Sequence, residues 1–225
     1  AVAKGSRRPT SRFASATEAF SYAKAVLAVG QNLDVLTQVE VKTAFPGLRT
    51  DLFRMAIASH LVETVDLLLE ERQPNPRLFD LTLSALYVSE KGRNPEAALQ
   101  AFLIQAAQEL GYGSEWHRCL RCGTQASGEG IGYSVSQGGV VCRACRPAVK
   151  DASRLGEGVL ARARHLSGLS LPDAGGLPDD PGAAGPLHRL LRHHLESRAE
   201  HPLRSAEFLE SLALKRRTEA RDAAE

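Results

Sequence analysis

The sequence predicts an α+β protein: a β-patterned head, a mostly α-helical body, and a cysteine-bearing segment inserted among the helices. Three observations carry this. Apolar residues alternate with polar ones at period two before residue 50 and recur at helical spacing after it. Asn-Pro pairs, which start helices by capping and by fixing φ, stand at Asn75-Pro76 and Asn94-Pro95. The 4 cysteines of the 225 residues fall into two Cys-x2-Cys pairs. The expected divisions are a head at 1–49, a first helical part at 50–111, the cysteine segment at 112–150 and a second helical part at 151–225.

In the head, Leu33, Val35, Thr37, Val39 and Val41 alternate with Asp34, Gln38, Glu40 and Lys42, broken only at Leu36. Phe20–Val29 is also strand-like, Gly30-Gln31-Asn32 supplies a turn between the two, and Ala1–Lys4 reads as the end of a third strand.

The period changes at Thr50, whose hydroxyl is expected to cap a helix with Asp51 in its first turn. Leu52, Ile57, Leu61, Val65, Leu68 and Leu69 carry that helix to about Glu71. The Asn75-Pro76 helix runs to near Gly92. The Asn94-Pro95 helix runs through Leu99, Phe102, Leu103 and Ala106 to Gly111 as C′ residue. Further helices are expected at 155–166, 186–200 and 205–217, with a mobile Gly/Pro/Asp-rich loop at 172–186 and a charged, fraying tail from Lys215.

Composition excludes some classes. Hydrophobic residues are 43% and charged residues 24%, values of a globular chain rather than a disordered one. The net charge of +2 is unevenly spread: 1–50 hold seven bases and three acids, 51–110 five bases and nine acids. No apolar run approaches the ~18 residues of a membrane helix, and paired cysteines do not resemble an extracellular disulfide framework. A cytoplasmic protein is expected.

Cys119-x2-Cys122, separated by nineteen residues from Cys142-x2-Cys145, has the spacing of two knuckles that bring four thiolates to one tetrahedral Zn2+. Gly123, Gly138 and Gly139 supply turns, and Arg118, Arg121, Arg143 and Arg146 are placed to offset the thiolate charge. Four protein sulfurs leave no open position, so such a zinc is structural. The alternatives are a metal-free relic or oxidisable thiol pairs. A redox enzyme would need a helix-start thiol in a βαβ setting, which these loop-like surroundings lack.

Lys4, Arg7, Arg8 and Arg12 form a basic loop with no acid among the first seventeen residues, suited to phosphate and hence to DNA. The plain alternative is a solvated surface turn. Tyr22 and Phe13 are stacking candidates or core residues. His193-His194 lacks partners at metal spacing, His117 is superfluous beside four cysteines, and His60 is read as bordering the core. No GxSxG, Walker A, GxGxxG or HExxH motif is present, so no catalysis is expected.

Taken in order, Val2-Ala3-Lys4-Gly5-Ser6-Arg7-Arg8-Pro9 with Ser11-Arg12-Phe13, Leu33-Asp34-Val35-Leu36-Thr37-Gln38, Phe45-Pro46-Gly47-Leu48-Arg49, Arg118-Cys119-Leu120-Arg121-Cys122-Gly123, and Arg204-Ser205 before Phe208-Leu209 strongly resemble the RecO family of bacterial recombination mediators. The resemblance implies an N-terminal oligonucleotide-binding (OB) barrel, of which 1–49 is the C-terminal part, then a helical domain with an inserted four-cysteine zinc knuckle. It implies binding and annealing of single- and double-stranded DNA, and work with RecR to load RecA on DNA coated by single-strand binding protein (SSB). By position, Lys4, Arg7, Arg8 and Arg12 become candidate DNA contacts and the four cysteines the zinc ligands. A five-stranded barrel takes roughly 70–100 residues, so the family's first strands are expected to precede Ala1.

Capture of the SSB C-terminal tail, acidic and ending in an apolar residue, needs an apolar pocket beside cations. Arg189, Arg192, Arg204 and Phe208, with Leu187, Leu190 and Leu191, are the candidates; the alternative is that these apolar residues are core, with Ser205 capping the last helix. The rival for the whole chain is a zinc-stabilised protein-interaction scaffold that touches no nucleic acid.

Overall fold

The computed structural model describes residues 1–3, 13–199 and 201–222, and the chain divides into two compact units, 1–51 and 52–225.

In the first unit, β1 (Tyr22–Ala28) and β2 (Val35–Thr43) pair antiparallel, with Ala25 opposite Val39 and a register shift between Val26 and Leu27. Thr37, Val39, Val41 and Thr43 are half-buried while Gln38, Glu40 and Lys42 are exposed, the predicted alternation. Leu33, predicted in the strand, lies exposed in the turn before it. Val2 adds one parallel bridge to Val35, its N–H donating to Asp34 O (2.7 Å) and its carbonyl accepting from Leu36 N (3.0 Å). Among the described residues this sheet is a hairpin with one bridge and does not close into a barrel.

The predicted cap at Thr50 is corrected. Pro46 instead opens a one-turn helix, α1 (Pro46–Thr50), after Phe45 at φ 43°. The Thr50 hydroxyl bonds back to Gly47 O (3.3 Å), and Asp51 is extended at φ −118°, ψ 116°, which separates α1 from the next helix.

The second unit is helical around an inserted small sheet. In α2 (Leu52–Leu68) the buried face is Phe53, Ile57, His60, Leu61 and Thr64; Leu52 is exposed, so the apolar stripe is displaced from the predicted one. Helices α3 (Pro76–Lys91) and α4 (Pro95–Glu109) start as predicted. Asn75 Oδ1 accepts from Leu78 N and Asn94 Oδ1 from Ala97 N, each at 2.9 Å. Past its end, α4 closes with Tyr112 N–H to Ala107 O (2.7 Å) and Gly111 N–H to Gln108 O (3.1 Å), a Schellman motif with Gly111 as C′. Eleven of the fifteen residues of α4 are buried, which marks it as the central helix.

Residues 172–186, expected as a mobile loop, are mostly helical. Ser170 caps α6 (Leu171–Gly176) and Asp180 caps α7 (Pro181–Glu196), its Oδ1 accepting from Ala183 N (3.1 Å). Capping residues followed by proline are the same device as the two Asn-Pro starts. Gly175 lets Val88 of α3 approach where a β-carbon would sit 2.2 Å from a Val88 methyl. Around them lie α5 (Glu157–Ser167) and α8 (Arg204–Asp222). The tail is helical to Asp222, beyond the predicted 217; the last three residues lie outside the described ones. No helix among the described residues is long and apolar enough to cross a membrane.

Candidate metal centre

Between α4 and α5, a three-stranded sheet of order β4-β3-β5 forms from β3 (Gly132–Ser134), β4 (Gly139–Val141) and β5 (Ala152–Arg154). Two cysteine loops hang on it. In the first, Cys119 N–H bonds Thr124 O (2.8 Å) and Gly123 N–H bonds Cys119 O (2.8 Å), a reversal that Gly123 permits at φ 72°. In the second, the N–H groups of Cys145 and Arg146 both reach Cys142 O, at 3.1 and 3.0 Å. Leu120 N–H to Val140 O (3.0 Å) ties the first loop to β4.

This geometry gathers all four sulfurs within 4.8 Å of one another, with Cys122 Sγ and Cys142 Sγ 3.8 Å apart. A metal–sulfur bond of ~2.3 Å in a tetrahedron places sulfurs about 3.8 Å apart, whereas a disulfide would bring two of them to about 2.05 Å. The four side chains can therefore hold a metal ion. Burial opposes ionisation of Cys119, but the N–H groups of Cys142, Cys122 and Arg121 outweigh it and draw the thiol down to about 6. Cys145, facing Cys142 and then Cys122 and Cys119, is pushed up to about 12. A thiol cluster shares protons in this way, and a cation that binds all four sulfurs displaces them. His117 is exposed and no member of the cluster.

The segment is fastened to the helices. Trp116 and Tyr133 stack in its core with centroids 5.1 Å apart, and Tyr133 Oη bonds Ser114 Oγ (2.6 Å). Arg164 of α5 donates to Trp116 O (2.9 Å), and His194 of α7 meets Tyr112 O (2.7 Å). His194 thus serves a structural contact, and burial lowers its pKa.

The other sequence-derived positions fall differently. Lys4, Arg7, Arg8 and Arg12 lie outside the described residues. Phe13 is buried. Leu187 and Leu191 are core, Leu190 is half-buried, and Phe208 is 47% exposed. Arg192 lies 3.9 Å from Glu196 and 3.7 Å from Glu210, so its charge bridges α7 and α8. Arg204 and Arg189 are exposed, Arg189 beside a cleft of about 250 Å³. Ser205 is not itself the cap of α8. Glu63 of α2 accepts from Arg204 N (2.9 Å), Ser205 N (2.8 Å) and the Ser205 hydroxyl, which with His60 Nδ1 at 2.9 Å forms a polar chain running from the surface to the buried His60.

Sequence reasoning missed a larger cleft, about 490 Å³, lined by the first turns of α4 and α7, by Phe53, Ala184 and Ala213, and by Arg93, Arg162 and Arg216. Arg162 is held by Gln100 (2.7 Å) and Asp180 (3.6 Å), and the Arg216 guanidinium lies 4.1 Å over the Phe53 ring. These arginines come from separate stretches of chain, and no local pattern in the sequence marks their convergence.

Comparison with known proteins covers both units. Residues 1–45 match the family model described as Recombination protein O N terminal, and 49–207 that of Recombination protein O C terminal. A DNA repair protein RecO of Symbiobacterium thermophilum is 37% identical over 215 residues, 94% of this chain and 85% of that protein. One of Roseiflexus is 31% identical over 217 residues (96% and 77%), and one of Desulfitobacterium hafniense 38% over 146 residues (65% and 53%).

Proposed function

The chain belongs to the RecO family of DNA repair and recombination proteins, and from that premise we propose that it is a non-enzymatic, DNA-binding recombination mediator. It would hold single- and double-stranded DNA, anneal complementary strands, and act with RecR to load RecA on SSB-coated DNA. The observation that carries this is the continuity of the match, which takes in the β head and the helical body alike. Annealing asks only that two polyanions be brought together with their charge offset, a task for cations rather than for covalent chemistry. The basic loop Lys4, Arg7, Arg8 and Arg12 is the proposed phosphate contact.

The proposed ion at Cys119, Cys122, Cys142 and Cys145 is Zn2+, which the four-thiolate donor set and its spacing favour. When bound, it would supply folding energy to the cysteine segment, since no ligand position remains for water or substrate.

The SSB tail is proposed to enter the cleft of about 490 Å³. Phe53, Pro95, Pro181 and Ala213 offer its last residue an apolar wall, and Arg93 and Arg216 are the proposed partners of its carboxylate, on a lining that also carries Glu96, Asp179 and Asp180. The α7–α8 surface is the weaker host, because Arg192 is already engaged by two glutamates.

The test is annealing of labelled complementary oligonucleotides, together with titration of an SSB tail peptide. Salt-sensitive DNA affinity and strand annealing are expected, with tail affinity reduced at least tenfold in Arg93→Glu and unchanged in Arg204→Glu. Metal-loaded protein with no oligonucleotide affinity at low salt would overturn the mediator reading in favour of a scaffold. Tail binding lost only in Arg204→Glu would return that site to α7–α8.

A further inference from the structure

We propose that the two cysteine loops carry a second contact for the phosphate backbone of nucleic acid, separate from the N-terminal basic loop. This rests on the DNA-binding reading above and adds a place and a set of residues to it.

Residues 112–154 contain six Lys or Arg against three Asp or Glu. Because four sulfurs meet within 4.8 Å, the arginines beside them, Arg118, Arg121, Arg143 and Arg146, are gathered on one small body. Arg118, Arg121, Arg143 and Lys150 are exposed. Among the described residues none of the four has a carboxylate within 4.0 Å, whereas Arg162 and Arg192 of the helical body are ion-paired.

Two of the three acids are turned to other donors. Glu115 accepts from the N–H groups of His117 (2.6 Å) and Arg118 (3.0 Å), and Asp151 from Ser134 Oγ (2.8 Å) and Ser136 N (2.8 Å).

Three of the arginines are also held in place. The stem of Arg143 lies over Gly130, where a β-carbon would stand 3.0 Å from its Cγ, and Arg146 lies over Gly132, where it would stand 2.8 Å from Cδ. Arg121 Nη1 donates to Ala148 O (3.3 Å), which leaves its other N–H groups available. Guanidinium groups on anchored stems lose little freedom on meeting a phosphate, and their fork matches its oxygens.

The plain account is that these arginines only offset the thiolates. A divalent ion on four thiolates contributes a charge of −2, and the segment's surplus of cations still leaves it positive. An acidic peptide with an apolar end suits the surface less well. Within residues 112–154 the exposed large apolar side chains among the described residues are Tyr112 and Leu120, which stand on different stretches of the segment, and the arginines are spread over both loops instead of forming one clamp.

The experiment measures the affinity of the full, zinc-loaded chain for a fluorescent oligothymidylate as a function of salt. Arg118→Gln/Arg143→Gln/Lys150→Gln should lower the log–log slope by about two, at ~0.7 per phosphate contact on a single strand. Metal content and circular dichroism should stay unchanged, and adding Arg7→Ala and Arg8→Ala should lower the slope further. Should the triple variant lose its metal, Arg118→Gln alone, a change at an exposed side chain, should still lower it by about 0.7. A wild-type slope in metal-loaded variants overturns the proposal and leaves the mediator reading standing; no oligonucleotide binding by the wild type defeats both. Binding of an oligoglutamate peptide that the variants weaken, with DNA affinity unchanged, would reassign the surface to an acidic protein.

Discussion

Glu63 and Ser205 lie 142 positions apart, yet the glutamate of α2 closes the first turn of α8. Its Oε2 accepts from the Ser205 N–H at 2.8 Å, and its Oε1 from Arg204 N–H at 2.9 Å. Burial opposes ionisation of Glu63, but the Ser205 hydroxyl and the two N–H groups outweigh it, so its pKa is lowered. A cap borrowed from another helix couples the docking of α8 to the integrity of α2. Glu63→Ala should cost about 1–2 kcal/mol, and Glu63→Gln less, since an acceptor remains. Urea unfolding of Glu63→Ala, Ser205→Ala and the double variant measures it, and additive losses would deny the coupling.

Zinc is expected at about one per chain in protein purified under reducing conditions, measured by elemental analysis. Cys142→Ser should abolish it and raise hydrogen exchange across 112–150 far more than across α2, because the loops and their sheet form a local unit. Equal loosening of both would show that the metal holds the whole helical body together.

For the N-terminal loop, Arg7→Ala with Arg8→Ala should weaken binding to all DNA sequences alike and reduce the salt slope by about one to two. A loss confined to one sequence would contradict this, since phosphate contacts carry no base information.

His60 predicts an acid limb of stability. Since Ser205 donates its hydroxyl to Glu63, His60 Nδ1 must carry the hydrogen in their 2.9 Å contact. Burial first, then Arg192, lowers its pKa from 6.5 to about 4. The unfolded chain therefore takes up the proton first. Stability is intact above pH 6.5 and declines as pH falls toward about 4, by on the order of 3 kcal/mol. Glu63, with its lowered pKa, acts in the same direction at still lower pH. Unfolding free energy measured from pH 7.5 to 4.5 should flatten in His60→Gln; an unchanged slope would place the titrating group elsewhere.

Local signals carried much of the fold. Asn75-Pro76, Asn94-Pro95 and Gly111 act within one turn of themselves, so they were readable without the rest of the chain. The cysteine spacing likewise announced a site whose sulfurs do converge. The same capping logic was present at Ser170 and Asp180, but dense Gly and Pro between them read as a loop. Contacts across the chain were not legible: neither Glu63 reaching Ser205 nor Arg216 over Phe53 leaves a pattern in sequence. The displaced stripe of α2 arose because Phe53 lies inward beneath Arg216 while Leu52 faces solvent.

Asn75 and Asn94 begin their helices with the same two letters, but evolution is not equally free at the two. The Asn75 side chain accepts from Leu78 N through its Oδ1, and a carboxylate serves there as well as an amide. Asn94 is buried and uses both ends of its amide: Oδ1 accepts from Ala97 N while Nδ2 donates to Pro178 O at 3.1 Å, and its own N–H reaches Gly175 O at 2.8 Å. Aspartate there would face the Pro178 carbonyl with a second acceptor and no proton to give. Drift between Asn, Asp and Ser is therefore open at the start of α3, while the start of α4 is confined to the amide.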